Sequence, residues 1–322
     1  MPDDAWSVRG VPDPAVLRLA LDGLGATPKT LPPQLFYDEE GCRLFYAITA
    51  LPEYYLTRTE GALLREIAPR AADWLQPGAT LVEYGASHEA KAKLLLAGRS
   101  AGRATFETYV AIDVARAALS EMGARLRQEF PQLRFIPIEA DFEQPLLLPP
   151  DLPAAAKLGF FPGSTIGNLD PVGRRRFLAQ ARETLGHDAA FLLGADLRKP
   201  ESVLIPAYDD AAGVTAAFNR NLLVRLNREA NAEFDPDSFD HRAIWNAAEG
   251  RIEMHLVSRH AQTVRVGSAH VSFAAGETIH TENSYKFTPD DIAGLAADAG
   301  WRLQDSWTDA EARFGLFLLK AI

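Results

Sequence analysis

Three strand ends carry residues of the right type and spacing to hold a nucleotide-like ligand. Residues 80–93 read Thr-Leu-Val-Glu-Tyr-Gly-Ala-Ser-His-Glu-Ala-Lys-Ala-Lys, a β-prone run that stops at Gly85 before a helix opens near Glu89. A strand that turns on glycine into a helix brings backbone N–H groups and a helix N-terminus against a ligand. The turn alone says little, because glycine serves there for steric reasons as well. The next two strands each add an acid: residues 107–114 contain Asp113, and residues 133–140 run into Asp141-Phe142. A carboxylate at the first of these can accept both hydroxyls of a ribose. It can also cap the helix expected over 115–130, and one residue can do both. At the second, the acid suits an exocyclic adenine amine and Phe142 an apolar wall; the alternative for Asp141 is a turn ahead of Pro145.

A fourth candidate follows the strand expected over 157–162, where residues 163–171 read Gly-Ser-Thr-Ile-Gly-Asn-Leu-Asp-Pro. In a doubly wound sheet this strand end lies beside the point where the strand order reverses and ligands bind. Asn168 offers a carbonyl oxygen that can accept from an amine and an NH2 that can donate to a carboxylate. Asn168 and Asp170-Pro171 also suit the start of a helix over 171–185. We assign Asn168 to the ligand and Asp170 to the cap.

These positions require a parallel sheet with intervening helices, and the apolar runs supply one. Helices are expected over 14–24 and, from the spacing of Leu63, Leu64, Ile67, Ala71, Trp74 and Leu75, over 59–75. A fifth strand spans 189–197. The stretch 200–287 then interrupts the alternation with mainly one helix from Tyr208 onward and strands at 251–258, 261–266, 269–273 and 277–287. A helix at 289–299 and strands at 302–308 and 314–322 close the chain. That closing order, with an antiparallel edge strand, fits S-adenosylmethionine-dependent methyltransferases, whereas a dinucleotide dehydrogenase runs two similar halves. The expected fold is α/β, a Rossmann-like class I methyltransferase sheet with an α+β substrate-binding domain built from the N-terminus and an insertion after the fifth strand. The expected boundaries are 1–60 for the N-terminal cap, 61–199 for the core, 200–287 for the insertion and 288–322 for the return to the core.

Four of the eight tyrosines (Tyr37, Tyr46, Tyr54, Tyr55) crowd the cap. They can pack it by their aromatic faces or present phenols to a polar substrate, and both readings stand. The 322 residues, 47% hydrophobic, suffice for a large core. A net charge of -10, from 43 acids against 33 bases, disfavours nucleic acid and anionic membranes as partners. One cysteine, Cys42, excludes a disulfide framework and fits a reduced cytosol. No apolar run approaches a membrane span, and Met1-Pro-Asp-Asp does not read as a signal peptide. A monomer is expected.

Longer motifs resemble one family across almost the whole chain. Leu31-Pro-Pro-Gln-Leu-Phe-Tyr-Asp-Glu-Glu-Gly, Leu51-Pro-Glu-Tyr-Tyr, Gly163-Ser-Thr-Ile-Gly-Asn-Leu, Ala207-Tyr-Asp-Asp-Ala-Ala-Gly-Val-Thr-Ala-Ala-Phe-Asn and Thr281-Glu-Asn-Ser-Tyr-Lys-Phe look like the L-histidine Nα-methyltransferases of ergothioneine biosynthesis. The resemblance implies transfer of three methyl groups from S-adenosylmethionine to the α-amine of histidine, giving hercynine. It implies that Gly85, Lys91, Asp113, Asp141, Phe142 and Thr165 hold the cofactor. It further implies that Asn168 and Tyr208 anchor the substrate's α-carboxylate and amine with Tyr37 nearby, Tyr37 and Asn168 serving catalysis. Glu282 and Ser284 would read the imidazole, with Tyr55 and Met254 completing that pocket. From its own residues, the polar run 281–286 reads equally as a solvated strand face; the resemblance turns it into histidine recognition. Two departures stand out. Gly85-Ala86-Ser87-His88 replaces the family's glycine-rich loop, which bears on cofactor affinity rather than fold, and Leu56 stands where proline is common.

A relative acting on tryptophan or another amino acid keeps the chemistry and changes the acceptor; Glu282 argues against a neutral indole pocket. A histidine- or cofactor-binding pseudoenzyme rests only on Ser87 and His88. A metal enzyme is least favoured and no metal ligand is assigned, because the seven histidines show no helical ligand spacing. His255 and His260 are expected at the surface of the inserted sheet.

Overall fold

A computed structural model describes residues 11–70, 74–75, 77–100, 103–153 and 156–322. The chain divides into two compact units, Met1–Tyr54 with Pro200–Asn283, and Tyr55–Lys199 with Ser284–Ile322. The breaks fall at Tyr54/Tyr55 and Asn283/Ser284, against the expected 60/61 and 287/288. A break at 60/61 would cut the helix Tyr55–Ile67, which lies whole in the second unit.

That second unit holds the parallel sheet. Its strands are β1 (Ala79–Tyr84), β2 (Phe106–Asp113), β3 (Arg134–Glu139), β4 (Lys157–Phe161), β5 (Ala190–Asp196), β6 (Trp301–Thr308) and β7 (Phe314–Ala321), in spatial order β6-β7-β5-β4-β1-β2-β3. β1 pairs parallel with both β2 and β4, β2 with β3, and β4 with β5, whereas β7 runs antiparallel to both β5 and β6. The order therefore reverses between β1 and β4, whose C-terminal ends are followed by Gly85 and Gly163. β1 and β5 are buried at every position, as strands covered on both faces must be. Among the described residues, helices α1 (Tyr55–Ile67), α2 (Ala90–Leu96), α3 (Arg116–Glu129), α4 (Pro171–Leu185) and α5 (Pro289–Asp298) belong to the unit. The core of Phe161, Phe177, Phe191, Phe317 and Trp301 is sealed, and Trp301 donates through Nε1 to Leu178 O at 2.8 Å. The expected helix over 59–75 begins earlier, at Tyr55, and passes at Ala68–Arg70 into a 3-10 turn containing Pro69; residues 71–73 lie outside the described residues. Asp170 caps α4 by accepting from Gly173 N at 2.6 Å.

The first unit is α+β. Its main sheet has the order Lys29–Thr30, Thr278–Tyr285, Arg251–Ser258, Phe239–Asn246, and Gln262–Val266 pairs with Ala269–Phe273. Helices run over Pro14–Leu24, Glu39–Thr49, Glu201–Tyr208 and Val214–Glu229. The helix expected from Tyr208 onward starts only at Val214, and Glu201–Tyr208 is a separate helix that ends at Tyr208. Asp210 accepts from the N–H groups of Val214 (2.9 Å) and Thr215 (2.7 Å), and Gly213 takes a positive φ of 72°, so the chain turns before the second helix starts. The strand Phe239–Asn246 and the helix Glu39–Thr49 lie where the sequence suggested no element.

Candidate active site

In the second unit, the expected cofactor residues Gly85, Lys91, Asp113, Phe142 and Thr165 lie where β1, β2 and β4 end. Gly85 has φ 74°, and a Cβ built on it would touch the rings of Phe142 (3.7 Å) and Phe161 (4.0 Å). Glycine is thus required for the turn, and Gly85 and Phe142 are neighbours. Phe142 stands edge-on to Phe161 and Phe177, with centroids 5.3 and 5.7 Å away. Lys91, on α2, pairs at 2.5 Å with Glu60, whose carboxylate is fully buried. Both Glu60 oxygens lie 2.9 Å from Gly163 N, and a Cβ on Gly163 (φ 79°) would come 3.5 Å from Lys91 Nζ. Glu60 thereby ties α1, α2 and the β4 loop together. It also needs Gly194 on β5, where a Cβ would lie 2.3 Å from its Oε1.

Asp113 is 9% exposed at the end of β2, and its Oδ1 accepts from Ala115 N at 2.8 Å. Burial raises its carboxyl above the ordinary range while main-chain hydrogen bonds oppose that. It therefore caps the following turn and still presents a carboxylate at the rim. Asp141 is exposed and accepts from Glu143 N at 2.9 Å, so the turn reading holds at least in part. Thr165 donates its hydroxyl to Pro162 O at 2.9 Å, and toward a ligand offers a lone pair rather than a proton. In the departing loop, Ala86 is sealed and bonded to Ile112 O, and His88 Nδ1 accepts from Ala90 N at 3.1 Å, at the start of α2. This end of the sheet fits an adenosine-containing cofactor: a positive-φ glycine, a rim carboxylate and an aromatic wall converge on it.

Sequence reasoning overlooked the acid at the end of β5. Asp196 is fully buried and accepts from the Tyr55 hydroxyl at 2.9 and 2.8 Å. Lys199 Nζ lies 2.6 Å from Oδ1, and Lys286 Nζ 2.8 Å from Oδ2. Lys286 also donates to Ser284 Oγ at 2.8 Å. Through Asp196 and Lys286 the structure thus links two expected substrate residues, Tyr55 and Ser284. Burial brings Lys199 down to about 8, against the pull of Asp196. The position at a strand end, shared with Asp113, was the available signal. Asn168, half-buried, ends the 3-10 turn Thr165–Asn168. The preceding Ser164 is left-handed (φ 60°), and its Oγ accepts from Asp196 N at 2.9 Å.

In the first unit, Tyr37 is exposed and stands edge-on to Phe45 (6.2 Å) and Phe218 (6.5 Å). Tyr208 is buried at the end of its helix, its ring 6.3 Å from Tyr54 and its carbonyl bonded to His241 Nε2 at 2.8 Å. The tyrosine cluster accordingly splits: Tyr54 and Tyr55 are buried, Tyr37 and Tyr46 exposed. Met254 is buried, with its carbonyl accepting from Thr281 Oγ1 at 3.0 Å, one residue before Glu282. Burial alternates along Thr278–Tyr285 until Glu282 and Asn283, which are both half-buried. His260 is exposed, but His255 is half-buried with its ring stacked 4.7 Å from His280, correcting the expected surface placement.

The strand order with its antiparallel edge, the glycine turn after β1 and the acids after β2 and β3 define a class I methyltransferase architecture. An S-adenosylmethionine-dependent methyltransferase from Clostridium acetobutylicum shares it with a TM-score of 0.50 at 12% identity, over 87% of this chain and 98% of that one, a likeness of fold alone. Residues 16–321 match the family described as "Histidine-specific methyltransferase, SAM-dependent". The chain belongs to that family, and its cofactor is S-adenosylmethionine. Among its relatives, a "Histidine N-alpha-methyltransferase" of Mycolicibacterium smegmatis is 46% identical over 304 residues, 92% of each chain. The protein of the same name from Mycobacterium tuberculosis is 42% identical over 307 residues, 94% of each. No helix among the described residues is long and apolar enough to cross a membrane.

Proposed function

We propose that this chain transfers three methyl groups in succession from S-adenosylmethionine to the α-amino group of L-histidine, giving hercynine for ergothioneine biosynthesis. The observation that carries the reading is near full-length similarity, 46% over 92% of each chain, to an enzyme named for that substrate and that nitrogen. In the same reading it works as a monomer in the cytosol on a free amino acid, without nucleic acid or membrane as partner, as its net charge of -10 favours.

Gly85, Lys91, Asp113, Asp141, Phe142 and Thr165 are assigned to the cofactor, which when bound supplies a methyl group on a sulfonium. Asp113 takes the ribose hydroxyls on a carboxylate already oriented by Ala115 N–H. Phe142, braced by Phe161 and Phe177, walls the base. Because the displacement is in line, the protein contributes mainly position and charge placement. Asn168 and Tyr208 anchor the substrate's α-carboxylate and amine, and Tyr37 and Asn168 steer the amine lone pair, with water carrying away its proton. The trimethylated product is a quaternary cation, for which tyrosine faces are favourable neighbours. Glu282 and Ser284 read the imidazole, and Met254 and Tyr55 line the same pocket. Tyr55 contributes its ring there, since its hydroxyl is committed to Asp196.

The test is turnover followed by mass spectrometry, with S-adenosylmethionine and each standard amino acid offered separately. Mono-, di- and trimethylated histidine are expected, with little product from tryptophan. Methylation of a different amino acid, or none from protein that binds the cofactor, would overturn the substrate assignment.

A further inference from the structure

We propose that Glu253, His255 and His280 form a binding site for a divalent transition-metal ion of the zinc type. Glu253 and His255 lie two apart on the strand Arg251–Ser258 and so share a face. His280 comes from the neighbouring strand Thr278–Tyr285, and the two imidazoles stack 4.7 Å apart at 25°. One donor atom from each of the three residues lies within 4.8 Å of the others.

The carboxylate is held as a ligating one would be. Its Oε1 accepts from Asn246 Nδ2 at 2.9 Å and Arg251 Nε at 2.8 Å, while Oε2 faces His255 Nε2 at 3.2 Å. One oxygen is anchored and the other presented, which is the outer-shell arrangement that orients metal ligands. Although burial opposes its charge, those hydrogen bonds hold Glu253 at about 2, so it is ionised. Burial lowers both histidines, leaving the neutral imidazoles that coordinate metals. His255 Nδ1 is buried without a hydrogen-bond partner, an uncommon and costly state for a ring nitrogen.

Two imidazoles and one carboxylate select zinc, cobalt or nickel over magnesium or calcium. Donor atoms around a tetrahedral zinc are about 3.3–3.5 Å apart, from bond lengths of about 2.0–2.2 Å. Contraction from 4.8 Å is within reach of side-chain rotation. His280 would exchange the contact of its Nε2 with Glu282 O, 3.1 Å, for the ion, and water would fill the remaining position.

The experiment uses the whole chain, stripped with a chelator and kept free of histidine, which would itself bind the metal. Calorimetry with zinc chloride should give one equivalent per chain, and cobalt(II) should develop visible ligand-field bands. His280→Ala and Glu253→Gln should each lower zinc affinity about tenfold or more, whereas His260→Ala, at an exposed histidine nearby, should not. Zinc should raise the melting temperature of the parent chain and not that of His280→Ala. Should a variant fail to fold, as its melt without metal would reveal, the cobalt spectrum of the parent chain decides by showing nitrogen ligation or its absence. Absence of saturable binding, or binding equally tight in both variants, would overturn the proposal.

Discussion

The ends of β2 and β5 both carry a buried aspartate, and the two are satisfied in different ways. Asp196 is enclosed by two ammonium groups and a phenol, so the protein itself balances its charge. Asp113, among the described residues, takes hydrogen bonds only from the main chain that follows it, and burial raises its carboxyl. Glu83 on β1 shows a third solution. It is 1% exposed and paired with the neutral Tyr109 hydroxyl at 2.5 Å, and burial pushes it up to about 8, so it keeps its proton. Cations, main-chain N–H groups and a proton are three ways to settle the same electrostatic debt. An acid whose partners the protein completes is structural; one left with main-chain donors at a rim is free to serve a ligand.

This contrast breaks if the aspartates respond alike to removal. Asp196→Ala strands Lys199 and Lys286 in the interior, and denaturant unfolding should lose about 3–5 kcal/mol. Asp113→Ala should leave the melting temperature within a few degrees of the parent. Its affinity for S-adenosylhomocysteine by calorimetry should fall roughly 10- to 100-fold, as loss of charged hydrogen bonds of about 1.5–3 kcal/mol implies. The reverse pattern, stability lost at Asp113 and cofactor affinity at Asp196, would end the distinction. Glu83→Gln sharpens it by pH. The folded chain keeps this proton up to about 8, the unfolded chain only to the ordinary value of 4.5. Stability from this site therefore falls as pH rises through that window. Glutamine has no proton to lose, so the variant should nearly match the parent near pH 5 and exceed it by about 4 kcal/mol near pH 9 in unfolding titrations.

The parallel sheet was legible because β1, β2, β4 and β5 are largely buried runs stopped by a glycine, an acid or a proline, and their order specifies the topology. The inserted strand Phe239–Asn246 escaped because its one-sided burial leaves Asp240, Arg242 and Ile244 alternating without a clear apolar face. The turn at 209–213 escaped because Asp210 acts through side-chain capping, which hydrophobic periodicity does not register. In the candidate site, Gly85, Asp113 and Phe142 were readable from their positions at strand ends. Asp196 occupies an equivalent position, but its meaning lies in Lys199, Lys286 and Tyr55, and Lys286 reaches it from 90 residues away in the chain. Helical spacing likewise could not find Glu253, His255 and His280, because their proximity depends on which strands are neighbours.

The fit of Glu60 against Gly194 couples two positions far apart in the chain. A methyl group at 194 would collide with the carboxylate at 2.3 Å, and that carboxylate carries Lys91 and the β4 loop. A side chain at 194 therefore displaces the Glu60 carboxylate from Lys91 and the β4 loop, or requires a smaller residue at 60. A mutational screen that scored 194 as essential would be reporting on a residue 134 positions earlier in the chain.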